Sequence, residues 1–231
     1  MKRFVTGLQK LPREPGKRTD DLTDRVIWPS FKRGLVAILR GVRPEEVEAI
    51  AEVLVEAEFP VIEVPLNSPD ALRSIEIIAK RFGSHTLIGA GTVLSVKACD
   101  GVADAGGRLM VTPNVDPDVI RRACGHGMVT LPGVFTPTEA LLALRSGASA
   151  LKFFPAGALG PSGISAIKAI LPKDTVVGAV GGVAEDSFAA FAGIGVRTFG
   201  LGSSLYRPGD STQTVRARAR LTIEAYDRAF A

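Results

Sequence analysis

The sequence contains few of the residues on which disulfide, metal and membrane proteins depend. Its 231 residues include two cysteines and two histidines, and no apolar run approaches the ~20 residues that span a bilayer. Two cysteines exclude a disulfide scaffold and a zinc site built from four thiolates. The first segment, MKRFVTGLQKLPREPGKRTD, lacks the apolar stretch of a secretory signal. We therefore expect a cytoplasmic protein without a membrane partner.

Short apolar runs alternate with amphipathic segments about eight times along most of the chain. The runs are 34–40, 60–66, 86–93, 108–114, 128–134, 150–156, 176–182 and 198–204. Runs that are apolar on both faces are typical of parallel strands covered on two sides. The intervening segments indicate helices, and Pro44, Pro69, Pro117 and Pro137 are placed to begin four of them. This α/β pattern predicts a single (β/α)8 TIM barrel over residues 34–231, with an open doubly wound sheet as the alternative.

Positive charge is concentrated ahead of this pattern. Residues 1–33 hold nine Lys and Arg against four Asp and Glu, a balance of +5, whereas the rest holds 19 against 20, a balance of −1. We interpret residues 1–33 as a basic, partly disordered N-terminal extension, because such charge runs are usually solvated. The basic residues do not alternate with aromatic residues, as stacking on nucleic acid would require. Contact with RNA or an acidic surface is the alternative. Within the extension, Val26, Ile27, Trp28 and Phe31 form an apolar cluster that we expect to plug the barrel bottom or cover a subunit contact.

Two charged residues interrupt the apolar strands. Lys152 is the one lysine of the five beyond residue 33 that lies inside an apolar run, ALKFFPA (150–156). Burial disfavours the ammonium ion and lowers its pKa, and a neutral amine attacks a ketone to form a Schiff base. Glu63 lies in VIEV, where burial raises the carboxyl pKa and a nearby lysine lowers it, which suits proton transfer. The alternative is a structural ion pair between Lys152 and Glu63.

Glycine-rich segments end the last two predicted strands. Gly181-Gly182 and Gly202-Ser203 allow backbone N–H groups to approach an anion, and this is the usual phosphate position of a barrel. Tight turns also require glycine, so turn formation is the alternative interpretation.

The histidines and cysteines are poorly placed to hold a metal. His85 and His126 precede the third and fifth predicted strands, at the end of the barrel opposite the predicted site. Cys99 and Cys124 fall in predicted helices, where packed thiols are common. A catalytic zinc needs three protein ligands at one place, so we predict no metal site.

Segments at the predicted strand ends resemble the 2-keto-3-deoxy-6-phosphogluconate and 6-phosphogalactonate aldolases, which are class I pyruvate aldolases. The matching segments are AILRG (37–41), IEVPLNSP (62–69), IGAGTV (88–93), VTPN (111–114), ALKFFPA (150–156), AVGGV (179–183) and GLGSSLYRPG (200–209). IEVPLNSP and GLGSSLYRPG are most similar to the 6-phosphogalactonate branch. Members of the gluconate branch usually carry Arg where this chain has Asn67.

The resemblance implies roles for individual residues. Lys152 would be the Schiff-base lysine and Glu63 the acid/base, while Thr92 and the backbone near Pro113 would hold the pyruvate end of the substrate. The remaining substrate-binding positions that we predict are Arg40, Gly181, Gly182, Gly202 and Ser203, with the glycines and the serine at the phosphate. The family is typically homotrimeric and needs neither cofactor nor metal.

The implied reaction cleaves 2-dehydro-3-deoxy-6-phosphogalactonate to pyruvate and D-glyceraldehyde 3-phosphate. We therefore expect a phosphorylated keto acid as partner and no nucleic acid. Three alternatives remain: the same cleavage of the C4 epimer 2-dehydro-3-deoxy-6-phosphogluconate, a phosphosugar isomerase or epimerase on the same barrel, and a non-catalytic phosphosugar-binding or scaffold protein.

Overall fold

The computed structural model describes residues 25–231. The prediction that the basic extension is partly disordered falls mainly on residues 1–24, which lie outside the described residues. The strands are β1 (Gly34–Ile38), β2 (Val61–Pro65), β3 (Leu87–Gly91), β4 (Leu109–Val111), β5 (Val129–Leu131), β6 (Gly133–Val134), β7 (Leu151–Phe153), β8 (Val177–Val180) and β9 (Thr198–Leu201). The helices are α1 (Pro44–Glu56), α2 (Ala71–Phe82), α3 (Val96–Asp104), α4 (Pro117–Gly125), α5 (Pro137–Arg145), α6 (Ala156–Lys168), α7 (Phe188–Ala192) and α8 (Thr212–Ala229).

The two edge strands of the sheet are consecutive in the chain, and the segment between them closes the sheet into a barrel. All pairings are parallel, in the order β5-β4-β3-β2-β1-β9-β8-β7-β6. Its two end strands are halves of the run 128–134, which is divided at Pro132 because proline has no N–H to donate. The N–H groups of Ala150 and Lys152 donate to the carbonyl oxygens of Thr130 and Pro132 at 3.1 and 2.9 Å. The predicted barrel is therefore confirmed, with its fifth strand in two pieces.

Helix starts follow the proline signals with one exception. α1, α4 and α5 begin at the prolines that were predicted to start them. Pro69 does not begin a helix, so that prediction is wrong. Asp70 adopts the left-handed conformation with φ of 40°, which interrupts helical geometry, and α2 starts at Ala71.

The N-terminal ends of the strands are closed by the segment that precedes β1. Trp28 is 9% exposed and packs in the barrel interior with residues that include Val36, Val61 and Leu109. Val26 and Phe31 are partly buried beside it. Ile27, in contrast, is 81% exposed. The expected plug is therefore present, but Ile27 is not part of it.

Candidate active site

Strand geometry directs Glu63 and Lys152 into the barrel. Side chains alternate between the two faces of a strand. In β2, Ile62 and Val64 pack outward in the main core, which leaves Glu63 on the inner face. In β7, Leu151 and Phe153 pack outward, so Lys152 also faces inward. Glu63 and Lys152 are 3% and 6% exposed, so both charges are withdrawn from water inside the same barrel.

Burial shifts the pKa values of both groups. It raises the pKa of Glu63 and lowers that of Lys152, while the attraction between them partly opposes both shifts. The guanidinium of Arg40 lowers the pKa of both groups, because a cation favours carboxylate and neutral amine. Among the described residues Glu63 and Lys152 form no ion pair, which argues against the structural-pair alternative. Burial brings the pKa of each group nearer to neutral pH, where both groups can exchange protons.

The immediate surroundings of the pair contain two residues that the sequence reasoning missed. The Lys152 Nζ lies 4.9 Å from the centre of the Phe154 ring. A Cβ atom at Gly91 would overlap the Glu63 carboxylate, so any other residue there would displace it. The Glu63 Oε2 atom is buried with no hydrogen-bond partner in the described chain. The period of two in strand β7 could have indicated Phe154, because it falls on the same face as Lys152.

Thr92 and Pro113 follow β3 and β4. Thr92 has φ of 57°, a left-handed conformation that is strained for a β-branched residue. Such strain is concentrated at functional sites. Pro113 is half-buried, and its carbonyl oxygen would overlap a Cβ atom at Gly133. Backbone groups therefore line this part of the barrel mouth closely.

A cavity of about 430 Å³ opens at the ends of β1, β8 and β9. Five of the predicted substrate-binding residues line it: Arg40, Gly181, Gly182, Gly202 and Ser203. Phe154 also lines the cavity and connects it to Lys152 through their contact. Glu63, Lys152, Thr92 and Pro113 are not among its lining residues. The predicted site therefore divides into this cavity, the buried pair on β2 and β7, and the region beside β3 and β4.

Two of the glycines that line the cavity adopt conformations that other residues avoid. Gly181 and Gly182 have φ of 84° and 72°, and a Cβ atom at Gly181 would lie 3.0 Å from the Phe154 ring. The Gly202 carbonyl accepts the N–H groups of Leu205 and Tyr206 at 2.9 Å, which forms a turn. Successive N–H groups in such loops form concave sites for anions.

Arg40 is held at the edge of the cavity by the neighbouring loop. Its Nη1 donates to Asn67 Oδ1 at 2.6 Å, and the Gly41 N–H donates to Ser68 Oγ at 2.8 Å. The loops after β1 and β2 are thereby joined. Sequence reasoning noted Asn67 only as a departure from the gluconate branch and missed this contact.

A metal centre is usually built from His, Cys, Asp and Glu side chains that lie close together. Within residues 25–231, no group of three or more His, Cys, Asp and Glu side chains could hold a metal ion. His126 instead contacts Asp100, with 2.7 Å between Nε2 and Oδ1, and Asp100 also pairs with Arg122. No helix in the described range is long and apolar enough to cross a membrane.

Known proteins with similar sequences are aldolases. A 58% identical relative from Rhizobium meliloti (strain 1021) is named a probable 2-dehydro-3-deoxy-6-phosphogalactonate aldolase; the match spans 90% of this chain and 98% of the relative. A 46% identical relative from Escherichia coli (strain K12) is named 2-dehydro-3-deoxy-6-phosphogalactonate aldolase; the match spans 86% of this chain and 97% of the relative.

Solved structures and a family model agree with these relatives. A structure described as native KDPGal is 46% identical with a TM-score of 0.86, over 88% of this chain and 98% of that one. Another solved structure is KDPG aldolase from Legionella pneumophila with pyruvate captured at low pH as a covalent carbinolamine intermediate. It is 25% identical with a TM-score of 0.72, over 85% of this chain and 94% of that one. The model described as KDPG and KHG aldolase matches residues 31–209. The chain therefore belongs to the KDPG and KHG aldolase family.

Proposed function

We propose that the chain is a class I aldolase that cleaves 2-dehydro-3-deoxy-6-phosphogalactonate to pyruvate and D-glyceraldehyde 3-phosphate. The observation that carries this proposal is the pair of buried side chains, Lys152 and Glu63, facing into one barrel next to a cavity lined by glycines. The substrate is taken from the names of the two relatives. The carbinolamine described for the Legionella pneumophila enzyme supports covalent chemistry on pyruvate in this family.

Lys152 begins the reaction as a neutral amine. Burial and the charge of Arg40 lower its pKa, which increases the fraction able to attack a carbonyl. Its Nζ adds to the C2 ketone to give a carbinolamine, which loses water to form an iminium ion. The positive iminium nitrogen then accepts the electron pair that is released when the C3–C4 bond breaks, through the C2–C3 bond that becomes the enamine double bond.

Glu63 is the proton carrier of the scheme. Its carboxylate removes the proton of the C4 hydroxyl, directly or through one water molecule, and the C3–C4 bond breaks to release D-glyceraldehyde 3-phosphate. The electron pair moves to the Lys152 nitrogen, which becomes part of an enamine. The protonated Glu63 returns a proton to C3, and hydrolysis of the resulting iminium frees pyruvate and the lysine. A carboxyl group with a raised pKa suits both directions of transfer.

The division of the site supports an orientation for the substrate. We assign the pyruvate carboxylate to Thr92 and the backbone at Pro113. The phosphate is assigned to the glycine loops at Gly181, Gly182 and Gly202 together with Ser203. Arg40 lies at the edge of the same cavity and influences both Glu63 and Lys152, so it serves the middle of the substrate.

A homotrimer in the cytoplasm is part of the same proposal, as is independence of metal ions. The resemblance to typically homotrimeric aldolases supports the assembly. Leu72, Leu94 and Val96 also expose apolar surface around the start of α3, which a subunit contact would cover. Light scattering after size-exclusion chromatography should give three times the chain mass of 24.3 kDa. Activity should persist in a chelator such as EDTA.

The decisive experiment compares the two C4 epimers side by side. Pyruvate release should be faster from 2-dehydro-3-deoxy-6-phosphogalactonate than from the gluconate epimer, and borohydride with pyruvate should add a pyruvate-derived mass to Lys152. Faster cleavage of the gluconate epimer would reassign the substrate. A label on another lysine, or the absence of any label, would contradict the Schiff-base mechanism.

A further inference from the structure

The loop between β9 and α8 carries an arginine that the assigned site does not use. Arg207 lines the same cavity as Arg40 and the glycine loops. No Asp or Glu side chain of the described residues lines this cavity, so its two cations have no acidic counterpart there. A concave site with unbalanced positive charge is suited to an anion.

Arg207 is exposed, but hydrogen bonds hold it at its backbone and at Nε. Its backbone N–H donates to Asp210 Oδ2 at 2.7 Å, and its Nε donates to the carbonyl oxygen of Ser203 at 3.0 Å. The preceding residue, Tyr206, is buried and donates through its hydroxyl to Glu46 Oε1 at 3.2 Å. These contacts hold the guanidinium beside the Gly202-Ser203 turn before any ligand binds.

The outer part of the guanidinium remains available. Neither Nη atom of Arg207 has a hydrogen-bond partner within residues 25–231. The neighbouring acid, Asp210, is engaged by Arg218 at 2.5 Å and by the Arg207 backbone. The two free Nη groups, held in one plane by the guanidinium, match the oxygen atoms of a phosphate group.

The two cavity arginines also occupy different positions along the site. Arg40 donates to Asn67 and is close enough to lower the pKa of both Glu63 and Lys152. Arg207 is not among the groups that shift either pKa, and its contact is with the serine assigned to the phosphate. Arg207 therefore lies beside the part of the cavity that is assigned to the phosphate.

We propose that Arg207 is a substrate-binding residue that receives the terminal phosphate, opposite the glycine loop at Gly181-Gly182. The inference rests on the proposed function for the identity of the ligand. It assigns the phosphate a charged, bidentate partner in addition to backbone N–H groups. Arg40 is then left to act near the reacting carbons.

The test compares Arg207→Met with Arg145→Met, a matched control. Arg145 is exposed in the last turn of α5, at the opposite end of the barrel. For Arg207→Met, the KM for the phosphorylated substrate should rise roughly 10- to 100-fold, with the loss falling on KM rather than kcat. The preference for this substrate over its dephosphorylated analogue should fall by the same factor, and Arg145→Met should match the parent.

A second measurement separates this inference from the proposed function. Binding of inorganic phosphate, measured by calorimetry, should be weaker in Arg207→Met than in the parent. Arg207→Gln should show the same loss and replaces Arg207→Met if that variant does not fold. Unchanged phosphate binding and unchanged KM would overturn the role of Arg207 even if the aldolase reaction is confirmed. If the parent cleaves neither epimer but loses phosphate binding on substitution, the phosphate role stands and the proposed reaction fails.

Discussion

The two ends of the barrel hold buried charge in opposite ways. Where the strands begin, Arg33 is buried and donates to Asp227 and Glu58 at 2.7 Å, so its charge is paired. Where the strands end, Glu63 and Lys152 are buried at least as deeply without an ion pair in the described chain. The pairing raises the pKa of Arg33 further from neutrality, whereas burial moves those of Glu63 and Lys152 toward it.

This contrast separates charge that stabilises from charge that reacts. A paired guanidinium joins the segment before β1 to α8 and to the loop before β2. An incompletely paired carboxylate beside a buried amine costs stability, and its retention requires a chemical reason. The strained Thr92 backbone belongs to the same end as the reactive pair. Substitutions at the two ends should therefore affect different properties.

The largest effect is expected from Glu63→Gln. The amide preserves the shape of the side chain but cannot cycle a proton, so kcat should fall by ~10²–10⁴-fold. Folding should be retained, because the substitution removes a buried ionisable group without changing its volume. Steady-state pyruvate release and thermal melting measure the two properties. The borohydride adduct with pyruvate should still form in part, since Lys152 is unchanged.

Glu58→Gln is the matched control at the other end. Glu58 is exposed and contacts Arg33 and Lys32 rather than the cavity. Its substitution should leave turnover unchanged. Normal turnover in Glu63→Gln would make Glu63 a structural charge and would require another base.

The next effect concerns packing at the start of the strands. Trp28→Ala removes a buried indole from the barrel interior and should lower the free energy of unfolding by about 3–5 kcal/mol. Ile27→Ala is the control, because Ile27 is 81% exposed and should change stability little. Denaturant unfolding of both variants measures the difference. Equal stability would show that Trp28 does not close the barrel.

These residues also show how far sequence reasoning reaches. Alternating apolar runs predicted the barrel, and a lysine inside one run predicted the inward-facing Lys152, because both depend on strand periodicity. The break at Pro132 and the late start of α2 depend on local backbone conformation, which periodicity does not report. The pattern could not indicate the Arg40–Asn67 contact either, since it joins loops from different strands.

Arg40 tests whether charge tunes the reactive end. Arg40→Met removes a cation that lowers the pKa of both Glu63 and Lys152, so both pKa values should rise. The acidic limb of the pH profile of kcat/KM should therefore move to higher pH. The value of kcat/KM at its maximum should also fall, by about 10-fold, through lost substrate contacts.

Arg40→Lys is the control variant: it keeps the charge but not the planar guanidinium fork, so it should raise KM with little movement of the pH profile. A profile that is unmoved in Arg40→Met would remove Arg40 from the electrostatics of the pair.

The smallest effect should come from Arg33→Met, at the end where charge is paired. Its partners are about half-exposed, and water therefore limits how much the ion pairs stabilise the folded state. The melting temperature should fall by about 2–4 °C near neutral pH. Turnover at a temperature where both proteins are folded should be unchanged.

The pH dependence of this difference identifies its cause. Arg33 lowers the pKa of Asp227 and of Glu58 below their ordinary values of 3.8 and 4.5. Their ion pairs therefore stabilise the folded state above those values, and this contribution is lost as the pH falls through the lowered pKa values. The gap in melting temperature between the parent and Arg33→Met should be widest above about pH 5 and should narrow toward about pH 3. A gap that persists in acid would mean that the arginine stem stabilises by packing, and the contrast between the two ends would then rest on Trp28 and not on paired charge.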